Sequence, residues 1–173
     1  TAMGEPLSFS DTMVTSTPDL NPIKAFVFCG QGPQHEHMGV HMYTRFAAFR
    51  NSVNASFEMV AKFHKKNFQE EYGLFNPELN GKVAKTDKGD WKVECIVIAI
   101  TIFQIALFDL WVDLGVQPDV VLGHSVGEIA AMYASGALTH EKAIRTAIAR
   151  SNALSLLDTI DGQMAALGMS RQE

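Results

Sequence analysis

The stretch Val120-Val121-Leu122-Gly123-His124-Ser125-Val126-Gly127-Glu128 decides how the rest of the chain is read. Three apolar residues, two of them β-branched, have the pattern of a short buried strand. Gly127 through Ser135 reads as a helix, with Gly136 placed to stop it. Between them lies Gly123-His124-Ser125-Val126-Gly127, a match to the G-x-S-x-G nucleophile elbow. So sharp a strand-to-helix turn exposes the Ser125 hydroxyl at the carboxyl edge of the sheet. Gly123 and Gly127 remove side chains that would clash there. The Val126 amide points into the same space, near the positive end of the helix dipole. The plainer alternative is a tight turn that happens to contain serine. A strand before it and a helix after it favour the nucleophile.

Composition narrows the class. A chain of 173 residues, 47% of them hydrophobic, builds a sizeable core as one domain, or one domain and a piece of another. A net charge of −5 and the lack of any basic run argue against nucleic acid as a partner. Cys29 and Cys95 have no metal-ligand spacing and sit in apolar runs, so both are expected to be buried thiols in a reducing, cytoplasmic setting. The most apolar run, Cys95–Phe108, is flanked by Glu94 and Asp109; it is too short to span a bilayer and reads as a buried helix, not a membrane segment. Residues 1–20 have neither the basic nor the apolar region of a signal peptide. The chain begins at Thr1, as expected of a piece of something longer.

Outward from the elbow, residues 1–21 read as a polar linker. Ile23–Cys29 reads as a strand running into Gly30-Gln31-Gly32-Pro33-Gln34, a loop whose backbone can approach a ligand closely. That loop fits neither G-x-G-x-x-G nor the P-loop pattern, so a dinucleotide-binding reading fails. Met38–Glu71 is helical by pattern, with Phe46, Phe49, Val53, Phe57, Val60 and Phe63 forming one apolar stripe for the core. Tyr72–Asp90 is turn-rich, and its Lys82, Lys85 and Lys88 read as a solvated loop. Trp91–Leu114 is the long buried helix, stopped by Gly115. Thr139 caps a last helix running to about Asp158. On its helical wheel Arg150 falls on the buried side, where a guanidinium needs an anionic partner. An internal Asp or Glu and a substrate carboxylate fit equally well from spacing alone. Gly162–Gly168 reads as the start of another strand.

Taken together these segments resemble the malonyl-CoA:acyl-carrier-protein acyltransferase family. More narrowly the chain is similar to the acyltransferase domain of a type I polyketide synthase or fatty acid synthase, and most similar to the fungal reducing type. The matching stretches are Phe28–Gln34 with Met38-Gly39, Gln104–Trp111, Pro118–Glu128, Ala149–Ser151 and Gly162–Ser170, in the family's order. The resemblance implies an α/β fold: an α/β-hydrolase-like large subdomain with a parallel sheet over residues 22–161. A ferredoxin-like small subdomain would begin at 162–173, and 1–21 would be linker from an upstream ketosynthase domain. It implies Ser125 as the acyl-accepting nucleophile and the amides of Gln31 and Val126 as the oxyanion hole. Arg150 would clamp the free carboxylate of the extender unit. His124 would lie at the substrate site without being the general base. A branched aliphatic residue at Val126 goes, in the family, with malonyl more often than methylmalonyl.

The implied reaction passes a malonyl-type acyl group from CoA to the phosphopantetheine thiol of an acyl carrier protein, with no bound cofactor or metal. Three departures stand out. The family's general-base histidine lies far downstream of the serine, beyond Glu173, so this chain alone is expected to be inactive; His140 does not fit that role. Val97 stands where many relatives have glutamine, and His35 where they have tryptophan. His35, His37 and His41 read as surface histidines rather than metal ligands. Two rivals remain: a serine hydrolase or thioesterase built on the same elbow, and a non-catalytic acyltransferase remnant.

Overall fold

Strands β1 (Ala25–Phe28) and β2 (Val120–Gly123) run parallel, in a register that pairs Ala25 with Val120 and Phe28 with Gly123. The computed structural model describes residues 22–65, 68, 72–75 and 91–157. A parallel pair needs a crossover, and helices α1 (Val40–Arg45), α2 (Ala47–His64) and α3 (Val93–Asp113) supply it. After β2 come α4 (Gly127–Ala134) and α5 (His140–Leu157). Strands alternating with packed helices make this an α/β fold. The expected linker, the lysine-bearing loop and the 162–173 segment lie outside the described residues.

Both ends of the strand pair are tied. At the start, the Lys24 amide donates to Asp119 Oδ2 across 2.8 Å, while the amides of Asp119 and Val120 donate back to the Lys24 carbonyl. The Lys24 amide, then its ammonium, hold the Asp119 carboxyl below its ordinary range. At the other end the His124 amide donates to the Phe28 carbonyl across 2.9 Å. The register that places the elbow beside the end of β1 is therefore set by polar contacts at both termini.

The core forms around α3, which packs against α2, α4 and α5. Ile98, Ile102, Ile105 and Ala106 on α3 are fully buried, with Phe49, Val53 and Val60 on α2 and Ile144 and Ala147 on α5. The helix extends past the apolar run at both ends. At 21 residues, with a mean hydropathy of 2.3 over its most apolar 18-residue window, it is long and apolar enough to cross a membrane, contrary to the length expected from the run alone. With 61% of its apolar window buried against neighbouring helices, its apolar character serves the core.

The single helix expected from Met38 onward is instead two. Phe46 is extended (φ −114°, ψ 117°) and 38% exposed, so it leaves the apolar stripe. The break is supported from α2, where Arg50 Nη1 donates to the carbonyls of Tyr43 and Thr44 at the end of α1. A guanidinium that satisfies the last carbonyls of a helix lets it stop without a glycine. Thr139 caps α5 as expected, its Oγ1 accepting from the Lys142 amide across 3.3 Å.

One polar network crosses the helices. Asp109 on α3 accepts from Ser52 on α2 (2.6 Å) and from the Tyr133 hydroxyl on α4 (2.7 Å). Burial, with the Asp109 carboxylate beside it, pushes the Tyr133 phenol above its ordinary value. The Tyr133 ring lies against His140 of α5, whose Nε2 shares a hydrogen bond with Ser56 Oγ at 2.7 Å. The helix that follows the elbow is thus joined to the helix that carries Arg150.

Candidate active site

Ser125 sits at φ +52°, the left-handed conformation that a non-glycine residue rarely adopts. Such strain persists only where surrounding contacts over-determine it. Here they do. A Cβ at Gly123 would lie 2.4 Å from Glu128 Cα, and one at Gly127 would lie 2.1 Å from the Phe28 carbonyl oxygen. The elbow is pressed against both its own helix and the end of β1, so only glycine fits on either side of the serine. The amides of Gly127 and Glu128 donate to the carbonyls of His124 and Ser125, closing the turn into α4.

The loop after β1 lies against the serine. A Cβ at Gly30 would stand 3.2 Å from Ser125 Cβ and 3.0 Å from His124 Nδ1. Gln31 follows directly and is exposed. No described residue accepts a hydrogen bond from the backbone amides of Gln31 or Val126. Unpaired amides in the elbow and in the loop that follows Gly30 are the type of donor a developing oxyanion uses. Val126 is buried and opens α4, while His124 is exposed next to Gly30.

Arg150 approaches from α5. Its Nη2 donates to Ser125 Oγ across 3.2 Å, and its Nε is buried with no partner. Among the described residues no carboxylate pairs with it, so the internal partner left open by spacing alone is not found there. A half-buried guanidinium whose inaccessible Nε has no partner among the described residues, beside a strained serine, is suited to an anionic group.

Other residues fall elsewhere. His140 is engaged by Ser56, away from any contact with the elbow. His35, His37 and His41 are exposed, and no group of three or more metal-ligating side chains occurs among the described residues. Cys95 is buried as expected, but Cys29 is exposed. The apolar run that suggested burial ends at β1, and Cys29 already belongs to the loop. Gln104, read only as part of a matching stretch, has its Nε2 on the Cys29 carbonyl at 2.7 Å. A lone amide in the apolar middle of α3 was the signal for it.

Residues 25–173 match the acyl transferase domain family, and the chain belongs to it. It is 37% identical over 144 residues to a highly reducing polyketide synthase of Strobilurus tenacellus, covering 83% of this chain and 5% of that protein. A solved loading acyltransferase from the avermectin modular polyketide synthase is 31% identical with a TM-score of 0.64, over 77% of this chain and 39% of that one. The malonyl-CoA:ACP transacylase of Synechocystis is 25% identical with a TM-score of 0.62, over 78% of this chain and 41% of that one. The chain therefore spans a small part of the synthase it matches and under half of each solved domain. Its α/β fold is that of polyketide synthase acyltransferase domains.

Proposed function

We propose that this chain carries the nucleophile of an acyltransferase that passes a malonyl-type group from CoA to an acyl carrier protein. The observation that carries the reading is the Arg150–Ser125 contact. Family membership supports acyl transfer, and a guanidinium at the serine adds a preference for acyl groups bearing a free carboxylate. A hydrolase of simple esters leaves that guanidinium without a role.

Ser125 Oγ attacks the thioester carbonyl carbon while its proton passes to a general base contributed by the longer protein. The amides of Gln31 and Val126 hold the oxyanion; loss of one such donor typically costs about 3 kcal/mol. CoA leaves as its thiol, and Ser125 is left as an acyl ester. The phosphopantetheine thiol of the carrier attacks that ester and regenerates the hydroxyl. His124 borders the acyl group from the elbow. The branched side chain of Val126 favours malonyl over methylmalonyl. The carrier and an upstream ketosynthase are partners in one multidomain enzyme, in the cytoplasm.

The test is acid-quenched labelling of the full-length protein with radioactive malonyl-CoA, followed by peptide mass spectrometry. Label on the Ser125 peptide, lost in Ser125→Ala, is expected. Label retained in Ser125→Ala, or none in the wild type with carrier supplied, rejects the acyl-serine route; the second result favours a non-catalytic remnant.

A further inference from the structure

We infer that Gln104 is a positioning residue that sets the spacing of the two oxyanion-hole amides by holding the Cys29 carbonyl. The inference rests on the acyl-serine reading above and goes beyond it.

Gln104 lies on α3 among Thr101, Ile102, Ile105 and Ala106, all buried, and is itself 6% exposed. Its Nε2 donates to the Cys29 carbonyl at 2.7 Å and to Cys29 Sγ at 3.2 Å. The same carbonyl also meets the elbow, since a Cβ at Gly127 would stand 2.7 Å from Cys29 O. One peptide oxygen is therefore in contact with both the core helix and the elbow glycine. The Val126 amide precedes that glycine directly. The Gln31 amide follows Cys29 by two residues. Fixing the Cys29 carbonyl fixes how far apart the two donors stand.

Packing does not account for a glutamine here. Its Oε1 is buried with no partner among the described residues, a desolvation cost that leucine or methionine of similar volume would avoid. Cys29 is exposed, so water can reach the loop whose carbonyl the amide holds. A side chain that is costlier than its apolar counterpart, yet aimed at the backbone beside the nucleophile, fits preorganisation of the site better than stability.

The experiment uses the full-length protein, with Gln104→Met and Gln104→Glu measured against wild type by rapid-quench acylation from malonyl-CoA. For Gln104→Met the expectation is a rate of Ser125 acylation lower by about 10-fold to 100-fold. KM stays within about twofold, because only the transition state uses the oxyanion hole. The melting temperature stays at the wild-type value. Gln104→Glu tests the donor itself. Its deficit relative to wild type shrinks as pH falls and the buried carboxyl takes up a proton, since a protonated acid donates to Cys29 O again. A wild-type rate in Gln104→Met overturns the inference. So does a loss of kcat and KM together with a lowered melting temperature, or a Gln104→Glu deficit that is flat with pH. Ser125→Ala, run alongside, separates the two readings: label surviving there discards the acyl-serine route and this inference with it.

Discussion

Arg150 Nη2 donates to Ser125 Oγ across 3.2 Å, joining a helix residue to the elbow 25 positions earlier in the chain. The same guanidinium keeps a buried Nε without a partner among the described residues. A half-buried guanidinium with an inaccessible donor to spare gains from an arriving anion, which would satisfy that donor. One residue thus presents a hydrogen bond to the nucleophile and a vacancy for a carboxylate.

Arg150→Ala in the full-length protein should lower loading from malonyl-CoA by about 100-fold, in the range found when one partner of a buried charge pair is truncated. Acetyl-CoA should gain relative to it. Competition between the two thioesters, read as acyl-protein by mass spectrometry, measures the ratio. Malonyl loading that survives without any gain for acetyl would remove the clamp.

The elbow glycines should be intolerant for a reason of space rather than backbone angle. Gly127→Ala drives a Cβ to within 2.1 Å of the Phe28 carbonyl oxygen, and Gly123→Ala to within 2.4 Å of Glu128 Cα. Both neighbours are backbone and yield poorly, so each change should cost about 3 kcal/mol. Gly136→Ala is the comparison: its φ is +78° and nothing lies within 4 Å of its Cβ position. It should cost only about 1 kcal/mol, the penalty of the left-handed backbone. Denaturant melts of the three variants give the order.

Tyr133→Phe should destabilise the domain by about 1–3 kcal/mol. It removes one of the two donors that the Asp109 carboxylate receives, leaving Ser52 alone. The double change with Ser52→Ala should cost less than the sum of the two, or more, but not equal it, since both act on one carboxylate. A strictly additive cycle would show that the two hydrogen bonds are independent.

His140 predicts a pH dependence. Burial lowers its pKa from 6.5, against a smaller opposing pull from Asp109. A histidine lowered in the folded state binds fewer protons there than when unfolded. Its contribution is complete above pH 6.5 and is lost as pH falls from there through the lowered folded value. The melting temperature should therefore decline on acidification below that point. His140→Gln should flatten this part of the curve. An unchanged slope in the variant would assign the decline to other groups.

The elbow was legible because its determinants are local. A short β-branched run, two glycines around a serine and a helix-stopping glycine are each read within a few residues, and the structure has β2, α4 and the turn at Ser125 in those places, although β2, expected to be buried, leaves Val120 and Leu122 exposed. Periodicity likewise identified Phe49, Val53, Phe57 and Val60 as one buried face. It did not show the break at Phe46, because the pattern continues through that residue. What ends α1 is the Arg50 guanidinium reaching back to Tyr43 and Thr44, a contact that no hydrophobic spacing encodes.

By itself the sequence determined a strand–serine–helix turn, a buried α3 and an arginine on the inner face of α5, since these follow from residue type and helical period. Only the tertiary structure decided which group meets Arg150, which carbonyl Gln104 holds and that Cys29 faces outward. The reason is physical. Local preferences act over a turn or two of chain, while a buried charge or amide takes its partner from whichever backbone the packing of α3 and α5 brings within hydrogen-bond reach.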